Sequence, residues 1–287
     1  MTRTRRLTYG FCILLLLGCG NDDDSSSFET GVDDAYTDAL NDVELNVPAG
    51  ASVTGESLVG TWMATQFDGT ETVTFRADGS GTLEESWEED GHLTEWSGPF
   101  AWEMKNNVLA DVISERFTED GVSCSETEQD VFTVARVNDA LVMDALLRTV
   151  GTGSGYAGTW RAIFGEYEVW QCGSEREKGY VIDDIALELT ETTFTLTDAW
   201  EEMEEWQEDG ETDSDTYRGV DSWTGTVTVQ DNFLILTPDD PSGQDTPVGS
   251  DGDRIITIRL LNNLVAQMDW SGALSDEDFE TDMYYRQ

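Results

Sequence analysis

Lysine and histidine are almost absent from this chain: Lys105 and Lys178 are its only lysines, and His92 is its only histidine. The sequence has 15 basic residues against 60 acidic ones, for a formal net charge of −45. A field of this sign repels nucleic acid and anionic lipid headgroups, so nucleic-acid binding is excluded. A single histidine and few cysteines also exclude zinc sites built from several such ligands. We therefore predict no metal centre and no cofactor.

A catalytic device of the Ser-His-Asp or Cys-His kind would need His92, which lies in "EEDGHLTEW". We interpret this stretch as a hairpin tip, where a solvated loop residue is expected. With 60 acids, any glycosidase-like carboxylate pair would be arbitrary. Two acidic stretches that look like calcium loops lack the required residue order. The sequence predicts a non-enzymatic protein with weak, non-specific divalent cation binding, and a carboxylate-dependent hydrolase is the less favoured alternative.

Long hydrophobic runs are also missing, because the apolar run at residues 11–17 is too short to span a bilayer. Three arginines precede it, so we predict a secretory signal over residues 1–18. The run ends in "LLGC", which resembles the lipobox of bacterial lipoproteins. This resemblance implies that Cys19 is lipidated and anchors the mature chain in the outer membrane. The anchored protein would then lie at the periplasmic face or at the cell surface.

Residues 19–56 are acidic and poor in large apolar side chains, which predicts a flexible, disordered tether. Carboxylates continue through both halves of the remaining chain instead of being confined to one tail. Diffuse carboxylates keep a surface hydrated, and high salt screens their mutual repulsion. We therefore interpret the charge as an adaptation to salt in preference to a dedicated cation site.

The chain contains an internal repeat. "LVGTWMA" at 58–64 returns as "YAGTWRA" at 156–162, and "FTVARVNDALVM" at 132–143 matches "ITIRLLNNLVAQM" at 256–268. Two further landmarks lie between these in the same order in both halves. Repeated landmarks in one order indicate two copies of one module.

Both copies contain short stretches of alternating polarity that are separated by Gly, Asn or Asp turns. Neither copy shows a helical stripe over three turns. We predict a first module at residues 57–150, a Gly/Ser linker at 151–155 and a second module at 156–287. Regularly spaced strands of this number predict an all-β fold of two tandem, antiparallel up-and-down β-barrels.

The tripeptide Gly-Thr-Trp opens each copy and ends at Trp62 and at Trp160. It resembles the G-x-W signature of the lipocalin, or calycin, superfamily. In that family the tryptophan closes one end of the barrel, and an arginine of the last strand lies across it. The resemblance implies that Arg148, which ends the first copy, and Arg286, which ends the second, have this structural role.

Three tryptophans of the second copy, Trp200, Trp206 and Trp223, are candidates for lining a ligand cavity. Packing in a filled β core is the alternative for the same side chains. The predicted function is that of a lipid-anchored envelope protein that binds a small apolar ligand or acts as a scaffold. A structural or partner-docking surface protein with filled barrels is the alternative.

Two cysteines remain beyond the lipid anchor, Cys124 and Cys172. They lie in different copies and in a compartment that permits disulfides. They can either form one bond between the copies or remain two thiols, because only geometry decides between these.

The most acidic stretch is "DAWEEMEEWQEDGETDSD" at 198–215. When the copies are aligned, two matching tryptophans are close together in the first copy, in "SWEED…EWSG". The segment between the corresponding tryptophans of the second copy is much longer. We predict a hairpin insertion near residues 203–216. In an extended strand, Trp200 and Trp206 share one face with Glu202 and Glu204, and Met203 faces the other way.

Overall fold

Antiparallel strands joined by short turns make up nearly all of the described chain. The predicted signal peptide, Cys19 and most of the predicted tether lie outside the described residues, so these stay predictions. The prediction of a flexible tether is wrong for its described end, because Ala51 and Val53 are buried and the Asn107 side chain donates to the Ala51 carbonyl and accepts from the Val53 N–H. Within the described ranges, one helix, α1 (Gly55–Leu58), precedes the strands. The computed structural model describes residue 45 and residues 51–65, 69–89, 92–119, 121–150, 155–208, 211–239, 255–269 and 283–287.

Seventeen strands follow α1 in these ranges, and every pairing recorded between them is antiparallel. They are β1 (Gly60–Thr65), β2 (Gly69–Phe75), β3 (Ser80–Glu89), β4 (His92–Lys105), β5 (Val108–Glu119), β6 (Val122–Thr133), β7 (Ala135–Val137), β8 (Ala140–Val142), β9 (Leu146–Val150), β10 (Gly158–Cys172), β11 (Glu175–Leu189), β12 (Thr193–Glu208), β13 (Glu211–Gln230), β14 (Phe233–Pro238), β15 (Ile256–Leu260), β16 (Val265–Asp269) and β17 (Met283–Arg286).

Asparagine residues with positive φ form the tight turns between several strands. Asn106 and Asn107 join β4 to β5 with φ of 51° and 65°, and Lys105 pairs directly with Val108. Asn138 has φ of 56° in the turn between β7 and β8. Asparagine tolerates this left-handed backbone better than most residues, which favours two-residue hairpin turns at these places.

Eight strands close a barrel. The strands from β9 to β16 pair in chain order, and β16 pairs again with β9. Neighbours in the chain are neighbours in the barrel, so the predicted all-β class and up-and-down barrel are confirmed. A buried apolar cluster fills the interior and includes Trp160, Leu187, Leu196, Leu234 and Ile258.

The other strands form a second closed series of pairings, which we call the first circuit because it begins at β1. Strands β1 to β6 pair in chain order. β7 continues β6 beyond Val134 and pairs with β8, and β17 lies between β8 and β1. These strands surround a second buried cluster that includes Trp62, Phe75, Leu109 and Leu141.

The barrel and the first circuit exchange their final strands. β9 ends the predicted first module, yet it pairs with β10 and β16 of the barrel. β17 ends the predicted second module, yet it pairs with β1 and β8 of the first circuit. Strand pairing therefore crosses the predicted linker at 151–155 in both directions. The repeat could not predict this exchange, because two copies of one module offer equivalent positions to either final strand.

A shared core accompanies the exchange. Ala135, Val142 and Met283 of the first circuit pack in one buried cluster with Leu147 and Val265 of the barrel. All described residues accordingly belong to one compact unit, Val32–Gln287.

β6 and β10 join the first circuit to the barrel directly, and we call their pairing the seam. Nine consecutive residue pairs form it, from Phe132 with Phe164 to Cys124 with Cys172. The other edge of β6 pairs with β5, so one continuous sheet runs from β5 through β6 and β10 to β13.

Deleting residues 283–287 should destabilise the first circuit while leaving the barrel closed. The deletion removes Met283 and Tyr284, which are 7% and 6% exposed, and each such burial is worth about 1.5–3 kcal/mol. Hydrogen exchange should show lost protection in β1 and β8 and retained protection in β14 and β15. The opposite pattern, with loss confined to the barrel, would contradict the strand exchange.

Candidate functional site

The tryptophan of the first Gly-Thr-Trp tripeptide closes one end of the first circuit. Trp62 is fully buried, and its Nε1 donates a hydrogen bond to the Leu58 carbonyl at 2.7 Å. The guanidinium carbon of Arg286 lies 5.7 Å from the centre of its ring. A second cation, Arg136, lies 6.0 Å from the same ring, and the sequence did not indicate it.

Trp160 has the equivalent arrangement at one end of the barrel. It is fully buried, and its Nε1 donates to the Tyr156 carbonyl at 2.9 Å. The guanidinium carbon of Arg148 lies 5.8 Å from its ring centre, and Nη1 donates to the carbonyls of Gly155 and Asn263. A desolvated cation over an indole is worth about 2 kcal/mol, so this pair stabilises the barrel end.

The two arginines lie across the tryptophans with their partners exchanged. The position of each arginine at the end of its copy predicts Arg148 with Trp62 and Arg286 with Trp160. Instead, Arg286 reaches Trp62 and Arg148 reaches Trp160. The physical reason is the exchange of the final strands, since each arginine is carried on the strand that entered the other group.

Cys124 and Cys172 form a disulfide bond across the seam. Their Cα atoms lie 4.2 Å apart, because the two residues pair directly at the outer end of β6 and β10. The bond ties the first circuit to the barrel at the point where their joint sheet ends.

The three tryptophans predicted to line a ligand cavity lie in different environments. Trp223 packs partly buried against the barrel core. The Trp200 ring covers Gly219, where a Cβ atom would lie 2.5 Å from it, and its Nε1 donates to Asp221 at 2.9 Å. Trp206 lies further out on β12 and is 40% exposed. Two of the predicted lining residues therefore belong to packed structure, and the third faces solvent.

Sequence alternation places carboxylates on one face of the sheet from β5 to β13, which we call the acidic face. Directly paired residues of antiparallel strands share a face. Three rows of six residues follow from the pairing, and twelve of these 18 positions are Asp or Glu and none is Lys or Arg. From β5 to β13 the rows are Asp111, Asp130, Glu166, Val181, Glu202 and Tyr217; Ile113, Glu128, Glu168, Gly179, Glu204 and Asp215; and Glu115, Glu126, Trp170, Glu177, Trp206 and Asp213.

The opposite face of the same sheet is apolar and carries the cations. Val131, Tyr167, Tyr180 and Met203 form a buried cluster there, so Met203 faces away from the acidic face as strand alternation predicts. Two ion pairs lie on this opposite face: Arg161 with Asp184 at 2.5 Å, and Arg218 with Glu201 at 2.9 Å. These cations therefore do not neutralise the acidic face.

The carboxylates of the acidic face nearest the seam are partly buried and resist ionisation. Burial, followed by the charges of Glu128 and Glu71, raises the pKa of Asp111 to about 7. Burial and the neighbouring carboxylates of β6 and β10 raise the pKa of Glu128 to about 8. Burial, followed by the charge of Asp111, raises the pKa of Asp130 well above its usual range.

The β12–β13 end of the acidic face is open to solvent and includes two exposed aromatic side chains. Trp206 is 40% exposed and Tyr217 is 50% exposed. The charge of Asp215 and, to a smaller extent, that of Glu204 raise the pKa of Tyr217, which places these carboxylates beside the phenol. An aromatic ring among carboxylates is an arrangement that attracts cations.

The acidic hairpin predicted near 203–216 is the outer part of β12 and β13. Met203 pairs with Thr216, and the ladder continues to Glu208 with Glu211. The predicted insertion therefore lengthens both strands and extends the acidic face.

A separate cavity of about 360 Å³ lies on the strands β2, β3 and β4. Its lining is polar apart from one tryptophan, and it includes three glutamates. Burial raises the pKa of one of these, Glu85. The lining residues are Thr70, Thr72, Glu84, Glu85, Ser86, Glu95, Trp96 and Ser97.

The remaining candidate centres concern metal binding, catalysis and membrane insertion. His92 begins β4 directly opposite Glu89, at the hairpin where the sequence placed it. Among the residues that the structure describes, His, Cys, Asp and Glu form no group of three or more that could hold a metal ion. The same described ranges contain no helix with the length and apolar character needed to cross a membrane.

The acidic face is the functional feature that single-sequence reasoning missed. Its signal was present, because "ETEQD" and "EYEVW" repeat acids at every second position. Alternation predicts that the acids of one strand share a face. It does not predict that β6 pairs with β10, which is what brings these strands into one acidic surface.

Comparison with known proteins identifies no relative. No protein-family model matches the chain, and neither a search of curated proteins nor a search of solved structures finds a match.

The indole N–H resonances of Trp62 and Trp160 report which arginine covers each tryptophan. In Arg286→Ala, the Trp62 indole resonance should shift and the Trp160 resonance should not, because only Trp62 loses its cation. Arg148→Ala should do the reverse and lose about 2 kcal/mol of stability, whereas Arg286→Ala, at an exposed position, should lose about 0.5–1 kcal/mol. Indole N–H signals in ¹H–¹⁵N spectra measure this. A shift of the tryptophan in the same copy as the substituted arginine would contradict the exchange.

Proposed function

We propose that this chain is a lipid-anchored, non-enzymatic protein of the cell envelope that acts as a docking scaffold for a basic partner. The observation that carries the proposal is the acidic face, where carboxylates surround two exposed aromatic side chains and no cation shares their rows. A partner rich in lysine or arginine fits this surface by charge and by cation–π contact.

The apolar cores of the two strand groups are compatible with a scaffold. The barrel core and the first-circuit core consist of buried apolar side chains, including both Trp62 and Trp160. Binding of a small apolar ligand is the other role expected from the sequence, and the ligand would have to enter an apolar core of this kind.

The location follows from the N-terminal sequence. We infer that residues 1–18 are a lipoprotein signal, that Cys19 is lipidated and that the predicted tether, up to the packed residues from Ala51 onward, connects it to the outer membrane. Two tandem lipocalin-like modules remain our interpretation of the repeat. The Trp–Arg pair at one end of each strand group supports that interpretation, because such a pair is what the resemblance implied.

Processing of the precursor tests the anchor. Cys19→Ser should leave the protein unacylated and uncleaved before residue 19, because the thiol is the lipid acceptor. Mass spectrometry of the membrane fraction measures both features, and Cys124→Ser is the matched cysteine control. Normal processing of Cys19→Ser would contradict the lipoprotein assignment.

Binding of a fluorescent oligo-lysine peptide tests the docking surface. The soluble chain should bind it in low salt and lose affinity as salt screens the carboxylates. Trp206→Ala combined with Tyr217→Ala should weaken binding about tenfold, since an exposed cation–π contact is worth about 0.5–1 kcal/mol. Fluorescence anisotropy measures the dissociation constant.

Two controls sharpen this experiment. Tyr285→Ala removes a comparably exposed aromatic, 48% exposed, from outside the acidic face and should leave binding unchanged. Replacing Glu204–Asp215 by Asn-Gly should abolish binding and keep the fold, because it closes the hairpin at Met203 and Thr216 with a two-residue turn. Equal binding by all variants would contradict the proposed surface.

A further inference from the structure

Like charges oppose each other directly across the seam. Nine positions of the acidic face belong to β5, β6 and β10, and seven of them are carboxylates. Directly opposed pairs include Asp111 with Asp130, Asp130 with Glu166, and Glu128 with Glu168. Directly opposed like charges weaken an antiparallel pair. Ionisation of these carboxyl groups therefore opposes the pairing of the strands that join the first circuit to the barrel.

Among the described residues, the charged groups that act on the seam from other elements include two further carboxylates. Glu71 of β2 faces Asp111, and Tyr284 of β17 donates a hydrogen bond to the Glu71 carboxylate at 2.6 Å. Asp144, in the turn after β8, adds its charge to Asp130. The charged groups that act on these seam carboxylates are therefore themselves carboxylates.

We propose that the seam is a pH-responsive joint, in which protonated carboxyl groups hold β6 against β10 and their ionisation above neutral pH loosens this pairing. The disulfide between Cys124 and Cys172 closes the outer end of the same strand pair. Loosened strands therefore stay tethered in register and can pair again when the pH falls. The joint acts on the connection between the two strand groups, and it does not depend on the docking proposal.

The direction of the pH effect follows from the raised pKa values. A carboxyl group whose pKa is higher in the folded state contributes stability that is fully present below its unfolded pKa, near 4. That contribution is lost as the pH rises through the folded values, which are about 7 for Asp111 and about 8 for Glu128. The pairing should thus be tightest in mildly acidic medium and weakest above pH 8.

Amide hydrogen exchange of the full soluble chain with its disulfide intact tests the joint. After correction for the intrinsic pH dependence of exchange, the protection of β6 and β10 amides should fall at least tenfold from pH 5.5 to pH 8.5. A pKa shift of one unit in a single carboxyl group changes the equilibrium between paired and loosened strands about tenfold, so one such group accounts for this fall. Amides of β14 and β15 in the same molecule should change much less. Equal changes in both regions, or no change at the seam, would overturn the proposal.

Matched variants assign the effect to the seam. Glu128→Gln with Asp130→Asn removes two ionisable groups with little change of shape, and should keep seam protection at pH 8.5 close to its value at pH 5.5. Glu188→Gln, at an exposed position of β11, should retain the wild-type pH dependence. A double variant that loses protection as steeply as the wild type would contradict the assignment.

A direct titration covers the case in which the double variant does not fold. Carboxyl ¹³C resonances of Asp111 and Glu128 in the wild-type protein should titrate above pH 6. Midpoints near the ordinary value of about 4 would overturn the proposal whatever the variants show.

Discussion

The hydrogen-bonded ladder between β6 and β10 is the constraint on which the rest of the molecule depends. Its register aligns Phe132 with Phe164 at one end and Cys124 with Cys172 at the other. The ladder connects the strands of the first circuit to those of the barrel in one sheet. Because paired residues share a face, the same register also gathers the acids of six strands on one side. The register between β6 and β10 therefore determines both how the two strand groups are connected and where the acids lie.

Hydrophobic burial compensates for this concentration of charge. The side of the sheet opposite the acids carries Tyr167, Tyr180 and Met203 in a buried cluster, with cations beside it. Apolar burial drives the strands together, while the carboxylates oppose one another across the same strands. The balance makes the acidic face a surface available to a partner at its exposed end and sensitive to protons at its partly buried end.

Strand exchange makes the two strand groups depend on each other. Each group closes with a strand from the other repeat, and each tryptophan plug is covered by the arginine on that strand. Neither group can complete its pairing from its own repeat alone. Such mutual closure suits a rigid scaffold, since a shared core and two shared strands oppose movement of one group against the other.

The sequence by itself determined the strand content, the antiparallel order and the Asn-containing turns, while the Trp–Arg contacts were implied only by the resemblance of Gly-Thr-Trp to the lipocalin signature. Strand content, order and turns depend on period-two alternation and on local turn chemistry, which neighbouring residues contain. Alternation also placed Trp206 and Met203 on opposite faces of β12. Only the tertiary structure decided that Arg286 covers Trp62, that Cys124 meets Cys172, and that acids of β5, β6 and β10 oppose each other. These are contacts between distant segments, and a repeated module gives two near-equivalent choices for each, so packing of the whole chain had to select one.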